Sequence, residues 1–331
     1  MIIETRAFAR AGLLGNPSDG YFGKTLSLII RNFGAHISLY QSPTLQIEAR
    51  EEDLNAYKSV HHLVDSVNLT GYYGGARLIK ASIKKFAEYC GNESIRLPNK
   101  NFTIAYRSSI PRQVGMAGSS AICTATMRAL MAFYQVEIPQ HILPSLIMSA
   151  ETEELKINAG LQDRVIQVYE GCVYMDFEKS HLEQHGYGHY EPIDPVLVPK
   201  LYIAYKTSLG KVSGTVLNDI RTRYQRGDQE VIDNLRLIAN LAEQGKNALL
   251  QGDHQTLHQL IDQNFDLRCK IMNVSESNRE MVRVARACGA SAKFTGSGGS
   301  IIGTYHDDEM LTKLVVGLKK INARVIKPII V

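Results

Sequence analysis

Polar Glu4, Thr5 and Arg6 stand between apolar Ile2–Ile3 and Ala7–Phe8, a patterning that predicts a strand over 2–9. Further strands are predicted over 25–30, 34–40, 45–49 and 102–106 by their β-branched, aromatic and apolar content. Helical spacing predicts helices over 55–67 and 75–89, and over 121–134, a run without Gly or Pro. Pro139 opens another helix, which reaches about 155, at the position where proline's missing N–H costs least. A short helix over 160–169 and a strand over 172–177 follow. The stretch 180–199, rich in His, Gly and Pro, reads as a long loop near a domain boundary. After a strand over 201–205 and a polar loop over 207–214, helical text dominates as far as Cys288. The chain closes with a strand, loop, strand, helix, strand rhythm over 291–294, 300–305, 308–320 and 323–329. Strands come first and helices are grouped later, so the fold class is α+β and not the alternation of a doubly wound sheet. At 331 residues the chain has room for two domains, divided as 1–199 and 200–331.

Composition narrows the classes. Hydrophobic residues make up 44% and charged residues 21%, as in an ordinary globular protein. The net charge of +4 comes from scattered basic residues, which argues against a nucleic-acid partner. Five cysteines without a Cys-x-x-Cys pair point to reduced thiols and a cytoplasmic location. Met1 is followed by Ile-Ile-Glu-Thr-Arg, so neither a signal peptide nor a membrane span is expected.

Four stretches carry candidate chemistry. In the first, Gly115, Met116, Ala117, Gly118, Ser119 and Ser120 form a turn between a predicted strand and a predicted helix. Unpaired N–H groups and the positive end of the helix dipole make such a turn an anion cradle, most naturally for phosphate. A plain serine N-cap is the competing reading. No Gly-Lys-Ser/Thr follows at the Walker spacing. In the second, Gly12 and Gly15 let Arg10 to Asp19 turn tightly and bring Asn16, Ser18 and Asp19 onto one loop. That set suits sugar hydroxyls, although Asn-Pro-Ser-Asp would make an Asx turn in any case. The third pairs Ala150-Glu151 with Gly160-Leu-Gln-Asp163-Arg164, where Asp163 falls in the first turn of a helix and is favoured as the anion. A salt bridge to Arg164 or Lys156 is its structural alternative. The fourth, Lys293 to Ser300, is dense enough in glycine for close approach of the backbone to a neighbour.

Together these stretches resemble the GHMP kinases, the family of galactose, homoserine, mevalonate and phosphomevalonate kinases. Pro111, Gly115, Met116, Ser119, Ser120 and Ala121 match its Pro-x-x-x-Gly-Leu-x-Ser-Ser-Ala motif, with one extra residue before the serine pair, which bears on the hydroxyl that meets the metal. Arg10, Leu13, Leu14, Gly15 and Asp19 match the galactokinase Arg-x-x-Leu-Ile-Gly-Glu-His-x-Asp, with Asn16-Pro17 replacing Glu-His. Ala150-Glu151 with Gly160 to Asp163 matches its Ala-Glu…Gly-Ile-Met-Asp, and Lys293, Thr295, Gly296, Gly298 and Gly299 match the family's third motif. The resemblance implies an N-terminal domain like ribosomal protein S5 domain 2, a ferredoxin-like C-terminal domain, and ATP with Mg2+. It further implies that residues 115–120 hold the triphosphate and that Ser120 with Glu151 holds the metal. Asp163 would orient or deprotonate the acceptor hydroxyl, Arg10 would stabilise developing charge, and Asn16, Ser18 and Asp19 would bind the sugar.

Residues 13–24, 71–77 and 110–120 further resemble the glucuronokinase branch, which implies glucuronate as acceptor and its 1-phosphate as product. A sugar acid needs a cation, and Arg112, Lys211, Lys24 and Arg164 are the candidates, with nothing in the text to choose among them. Kinases of galacturonate, galactose or a heptose, and a non-catalytic sugar sensor, are the competing readings. A dinucleotide oxidoreductase is disfavoured because no Gly-x-Gly-x-x-Gly follows a βαβ start. Tyr57, Tyr72 and Tyr73 are possible base-stacking residues, and oligomeric state is open. His181, His185 and His189 recur every four residues, but Gly186 and Gly188 interrupt the helix that a zinc site there would need. His254 and His258 read as a solvated helix face.

Overall fold

The computed structural model describes residues 2–48, 74–206 and 214–331. The predicted helix over 55–67, Lys211, Tyr57, Tyr72, Tyr73 and most of the 207–214 loop lie outside these residues.

The first sheet is organised by a long antiparallel pair, β1 (Ile2–Leu14) and β2 (Lys24–Ser42). The predicted break at residues 31–33 is not a turn. Phe8 pairs with Gly34 and Ala9 with Ile30, so these three residues form an irregularity at which one strand bends. Likewise β1 runs beyond its predicted end at residue 9, and the chain turns only at Gly15. Burial along β1 switches from partial in its first five residues to complete from Ala7 onward, where both faces are covered. The short β3 (Gln46–Ile47) runs parallel to β4 (Asn101–Ser108), giving the order β3-β4-β2-β5-β6. Here β5 is Cys172–Asp176 and β6 is His189–Ile193.

Helices α1 (Gly75–Asn92) and α2 (Gly118–Tyr134) pack on one another, and α2 also lies on β1 and β2. Eleven of the 17 residues of α2 are buried, which explains why it is apolar nearly all round. The helix expected from Pro139 begins later, as α3 (Leu143–Ser149) with Pro144 in its first turn, and widens into a π-helical turn, Ala150–Glu154. Next comes α4 (Gln162–Tyr169). The predicted loop 180–199 contains α5 (Lys179–His185), the edge strand β6 and a 3-10 turn, Pro195–Leu197. Pro192 fits β6 because an edge strand can spare an N–H.

The second sheet holds β7 (Leu201–Lys206), β8 (Lys293–Phe294), β9 (Ser300–Thr304) and β10 (Ala323–Ile326) in the order β10-β7-β9-β8, all antiparallel. In chain sequence this is fourth, first, third, second, the ferredoxin-like arrangement. Between β7 and β8 come α6 (Gly214–Gln225), α7 (Gln229–Gln251), α8 (His254–Ile271) and α9 (Glu276–Ala287), and α10 (Asp308–Lys319) precedes β10. Asp228, Asp253 and Asp307 cap α7, α8 and α10 by accepting N–H bonds from Val231, Thr256 and Met310. Gly252 takes the left-handed conformation that ends α7 (φ 68°). Because α7 packs on β2 and α8 on β1, the C-terminal helices cover the buried half of the long pair. Among the described residues no helix is long and apolar enough to cross a membrane, and all five cysteines are free.

Candidate active site

The loop ahead of α2 alternates in backbone hand. Gln113, Gly115 and Ala117 have φ of 59°, 71° and 61°, with negative-φ residues between them. Alternation of this kind turns successive N–H groups to one side and makes an anion nest. The first bond of α2 runs from the Ala121 N–H to Ala117 O, and the N–H groups of residues 115–120 donate to no acceptor among the described residues. A Cβ on Gly115 would lie 2.8 Å from Gly298 O, so only glycine fits where the third glycine-rich segment crosses this loop. The crossing is fastened by Thr295 Oγ1 donating to Gly115 O (3.2 Å) and Ser300 Oγ donating to Val114 O (2.5 Å). Arg112 is exposed at the loop's start, and Met116 is buried beneath it.

Arg10, on the buried half of β1, reaches two of these segments and one more. Its Nη1 donates to Gly115 O (2.6 Å) and Thr295 O (3.0 Å), while Nε donates to Asp163 Oδ1 (2.6 Å). Burial opposes ionisation of Asp163, but the Arg10 and Arg164 guanidiniums outweigh it and hold the carboxyl below its ordinary value. Asp19 lies against Gly160, where a Cβ would come within 2.1 Å of its Oδ2. Burial and the neighbouring Asp163 charge push the Asp19 carboxyl up to about 6, against the opposing pull of Arg10, the Gln162 backbone and Arg164. Two neighbouring carboxyls therefore have pKa values driven apart, a feature of acid–base sites.

Glu151 is fully buried on the π-helical turn. Its Oε1 accepts from Ser119 Oγ (2.7 Å), and its Oε2 is gripped by Nε (2.9 Å) and Nη2 of Arg164. The hydroxyl that meets Glu151 is thus that of Ser119. Ser120, the serine expected there, is buried and donates to Ala117 O (3.1 Å), because helix geometry turns consecutive side chains to different faces. Glu153 and Glu154 are engaged elsewhere, by Lys85 and Lys84 of α1.

The loop from Gly12 to Asp19 is held by buried side chains distant in sequence. Lys293 is fully buried and donates to Gly12 O (2.6 Å), Asn16 Oδ1 (2.5 Å) and Phe294 O (2.8 Å). Burial, with Arg268 and Arg10 nearby, takes its pKa well below the ordinary lysine value. Asn264 of α8 accepts from the Gly15 N–H (2.8 Å) and donates to Asn16 O (3.4 Å). Ser18 is turned inward, its hydroxyl closing the turn onto Lys24 O (2.9 Å), so Ser18 is spent on the loop, whereas Asp19 lies within electrostatic reach of Asp163. Among the expected cations, Lys24 pairs with Glu243 (2.6 Å) and Asp176 (3.6 Å), and Arg164 pairs with Glu151. Arg268, Lys293 and Asn264 had no role in the sequence reading beyond the motif match of Lys293. A single arginine in helical text carries no signal that it will be buried.

The His181 ring lies tilted beside those of His185 and His189, with centroids 4.4 and 3.7 Å apart, and among the described residues no group of three or more His, Cys, Asp or Glu is placed to hold a metal ion. His254 is exposed, whereas His258 is half-buried and its Nδ1 bonds Thr304 Oγ1 at 2.8 Å.

Comparisons with known proteins agree with this layout. The sequence models of the GHMP kinases N terminal domain and the GHMP kinases C terminal match residues 77–171 and 246–315. The chain is 45% identical to glucuronokinase 1 of Arabidopsis thaliana over 306 residues, covering 91% of this chain and 84% of that one. It is 46% identical to probable glucuronokinase 2 of the same plant over 308 residues, with the same coverage. In structure it superposes on Lactococcus lactis galactokinase with a TM-score of 0.77 at 13% identity, over 99% of this chain and 93% of that one, a likeness of fold. By the plant relatives and both sequence models, this chain belongs to the GHMP kinase family.

Proposed function

We propose that the protein transfers the γ-phosphoryl group of ATP to the anomeric hydroxyl of a hexuronic acid, with glucuronate giving glucuronate 1-phosphate. The relatives named glucuronokinase supply the substrate. The observation that carries the chemistry is Arg10, which joins the phosphate nest at Gly115 to the carboxylate of Asp163. We assign the nest and the acid–base pair to residues 1–199, and to 200–331 the glycine-rich turn and helices that close over them.

Free N–H groups over 115–120 would receive the triphosphate. Magnesium in phosphoryl-transfer sites takes one or two carboxylates or hydroxyls and fills its remaining positions with phosphate oxygens and water. Glu151 Oε1 and the Ser119 hydroxyl fit that donor set, with Ser120 one residue behind. When bound there, the ion neutralises charge on the β- and γ-phosphates. Asp163, kept ionised by Arg10, accepts the proton of the anomeric hydroxyl as its oxygen bonds to phosphorus and the bond to the β-phosphate breaks, releasing ADP. Arg10 lies between the two and balances the charge that develops. Asp19, half protonated near pH 6, can donate to or accept from a sugar hydroxyl.

A coupled ADP assay over glucuronate, galacturonate, glucose and galactose, with and without magnesium, tests the reading. It expects magnesium-dependent turnover greatest with glucuronate. Equal rates with the neutral hexoses would remove the sugar-acid assignment.

A further inference from the structure

A hexuronate differs from its parent hexose in one group, the C6 carboxylate, so selection for it requires a cation at the sugar end of the site. The basic side chains already described there are engaged. Arg10 holds Asp163, Arg164 holds Glu151, Lys24 holds Glu243 and Asp176, and Lys293 spends its three donors on Gly12, Asn16 and Phe294.

Arg268 differs from all of these. It is 1% exposed, yet among the described residues no carboxylate lies within ion-pair distance of it. Among the described residues its side chain makes one hydrogen bond, from Nε to Met272 Sδ (3.0 Å), and Nη1 has no partner. The Phe294 ring lies 5.2 Å from its guanidinium carbon. A buried charge without a counter-charge is costly, and an apolar side chain of similar size would fill the space at less expense. Position accounts for what packing does not. Asn264, one turn earlier on α8, bonds Gly15 and Asn16, and residues four apart on a helix share a face. Arg268 therefore shares the face of α8 that carries Asn264, and it lies within electrostatic reach of Asp19, Arg10 and Lys293.

We propose that Arg268 receives the substrate's carboxylate and is the specificity-determining cation of this pocket, an inference that rests on the sugar-acid reading above. The planar fork of donors matches a carboxylate edge, and Nη1 supplies a bond that no described protein group takes up. Because the side chain is enclosed, the wall over it has to part by the width of one carboxylate as the sugar enters.

The test pairs a ligand change with a protein change. Calorimetric affinities for glucuronate and for its neutral analogue glucuronamide are measured for the wild type and for Arg268→Met, with magnesium and a non-hydrolysable ATP analogue present. The wild type should prefer the acid by roughly a hundred-fold, and Arg268→Met should narrow that preference to about three-fold, as expected when one member of a buried charge pair is removed. Affinity for the nucleotide analogue should not change, which shows that the variant is folded. If Arg268→Met fails that control, Arg268→Gln is used in its place. A variant that binds nucleotide and keeps the full preference, or that weakens acid and amide equally, overturns the assignment of Arg268 and leaves the sugar-acid reading intact. A wild type that does not distinguish acid from amide overturns both.

Discussion

Arg10 and Asp163 meet at 2.6 Å across 153 positions of sequence, and the far end of the same guanidinium holds the Gly115 carbonyl. One side chain thus fixes the distance between the proposed phosphate nest and the proposed base. Gly296 sits against this arginine so closely that a Cβ would come within 2.7 Å of Nη1.

The role assigned to Asp163 predicts a kinetic signature. Asp163→Asn keeps the shape and removes the charge, so turnover in a coupled ADP assay should fall on the order of a hundred- to ten-thousand-fold. Nucleotide affinity by calorimetry should stay within a small factor of wild type. Unchanged turnover would take Asp163 out of the chemistry.

Asp19 gives a pH dependence of defined sign. Its folded pKa of about 6 lies above the ordinary 3.8, so its contribution to stability is complete below the ordinary value and is lost as pH rises through the folded one. Asp163 works in the opposite sense, contributing above its ordinary value and losing that contribution as pH falls through the lowered one. Asp19→Asn should therefore gain stability relative to wild type as pH is raised from about 4 to about 7, by on the order of 2 kcal/mol. Urea unfolding at both ends of that range measures it, and a difference that does not vary with pH would contradict the assignment.

Glu151 pairs with Arg164 and is proposed to hold the metal, and the two roles separate by measurement. Glu151→Gln should lower stability by roughly 3–5 kcal/mol, the usual cost of breaking a buried ion pair from one side. It should also raise the magnesium concentration needed for half-maximal rate. A variant with lower stability and an unaltered magnesium requirement would confine Glu151 to the ion pair.

The serine pair offers a sharper comparison. Ser119 donates to Glu151, whereas Ser120 donates back to Ala117, so Ser119→Ala should lose more turnover than Ser120→Ala when both are saturated with magnesium. The reverse order would return the metal-facing role to Ser120.

Much of this was legible in the text. Helical spacing located α1 and α2 closely, and the closing strand-helix-strand rhythm lies within a few residues of β8, β9, α10 and β10. Failures came where local signals carry a different meaning in a sheet. Arg31 to Phe33 fall between two predicted strands but form an irregularity within one, opposite Phe8 and Ala9. The His- and Gly-rich stretch after Ser180 reads as loop because an edge strand tolerates proline and polar residues.

The site divides in the same way. Segments bearing Gly115, Arg10, Asp163 and Lys293 stood out by motif, since glycines and charges at fixed spacing are visible locally. What no single stretch carries is the pairing between them. Which serine reaches Glu151, that Ser18 turns inward, and that Arg268 is buried without an acid all depend on the packing of elements distant in sequence.

The most direct test of the central claim is phosphorus NMR of the product formed from ATP and glucuronate with magnesium. The account predicts one new phosphate, coupled to the anomeric proton and formed in step with ADP. Phosphate on another hydroxyl, or ADP released with inorganic phosphate alone, would contradict it.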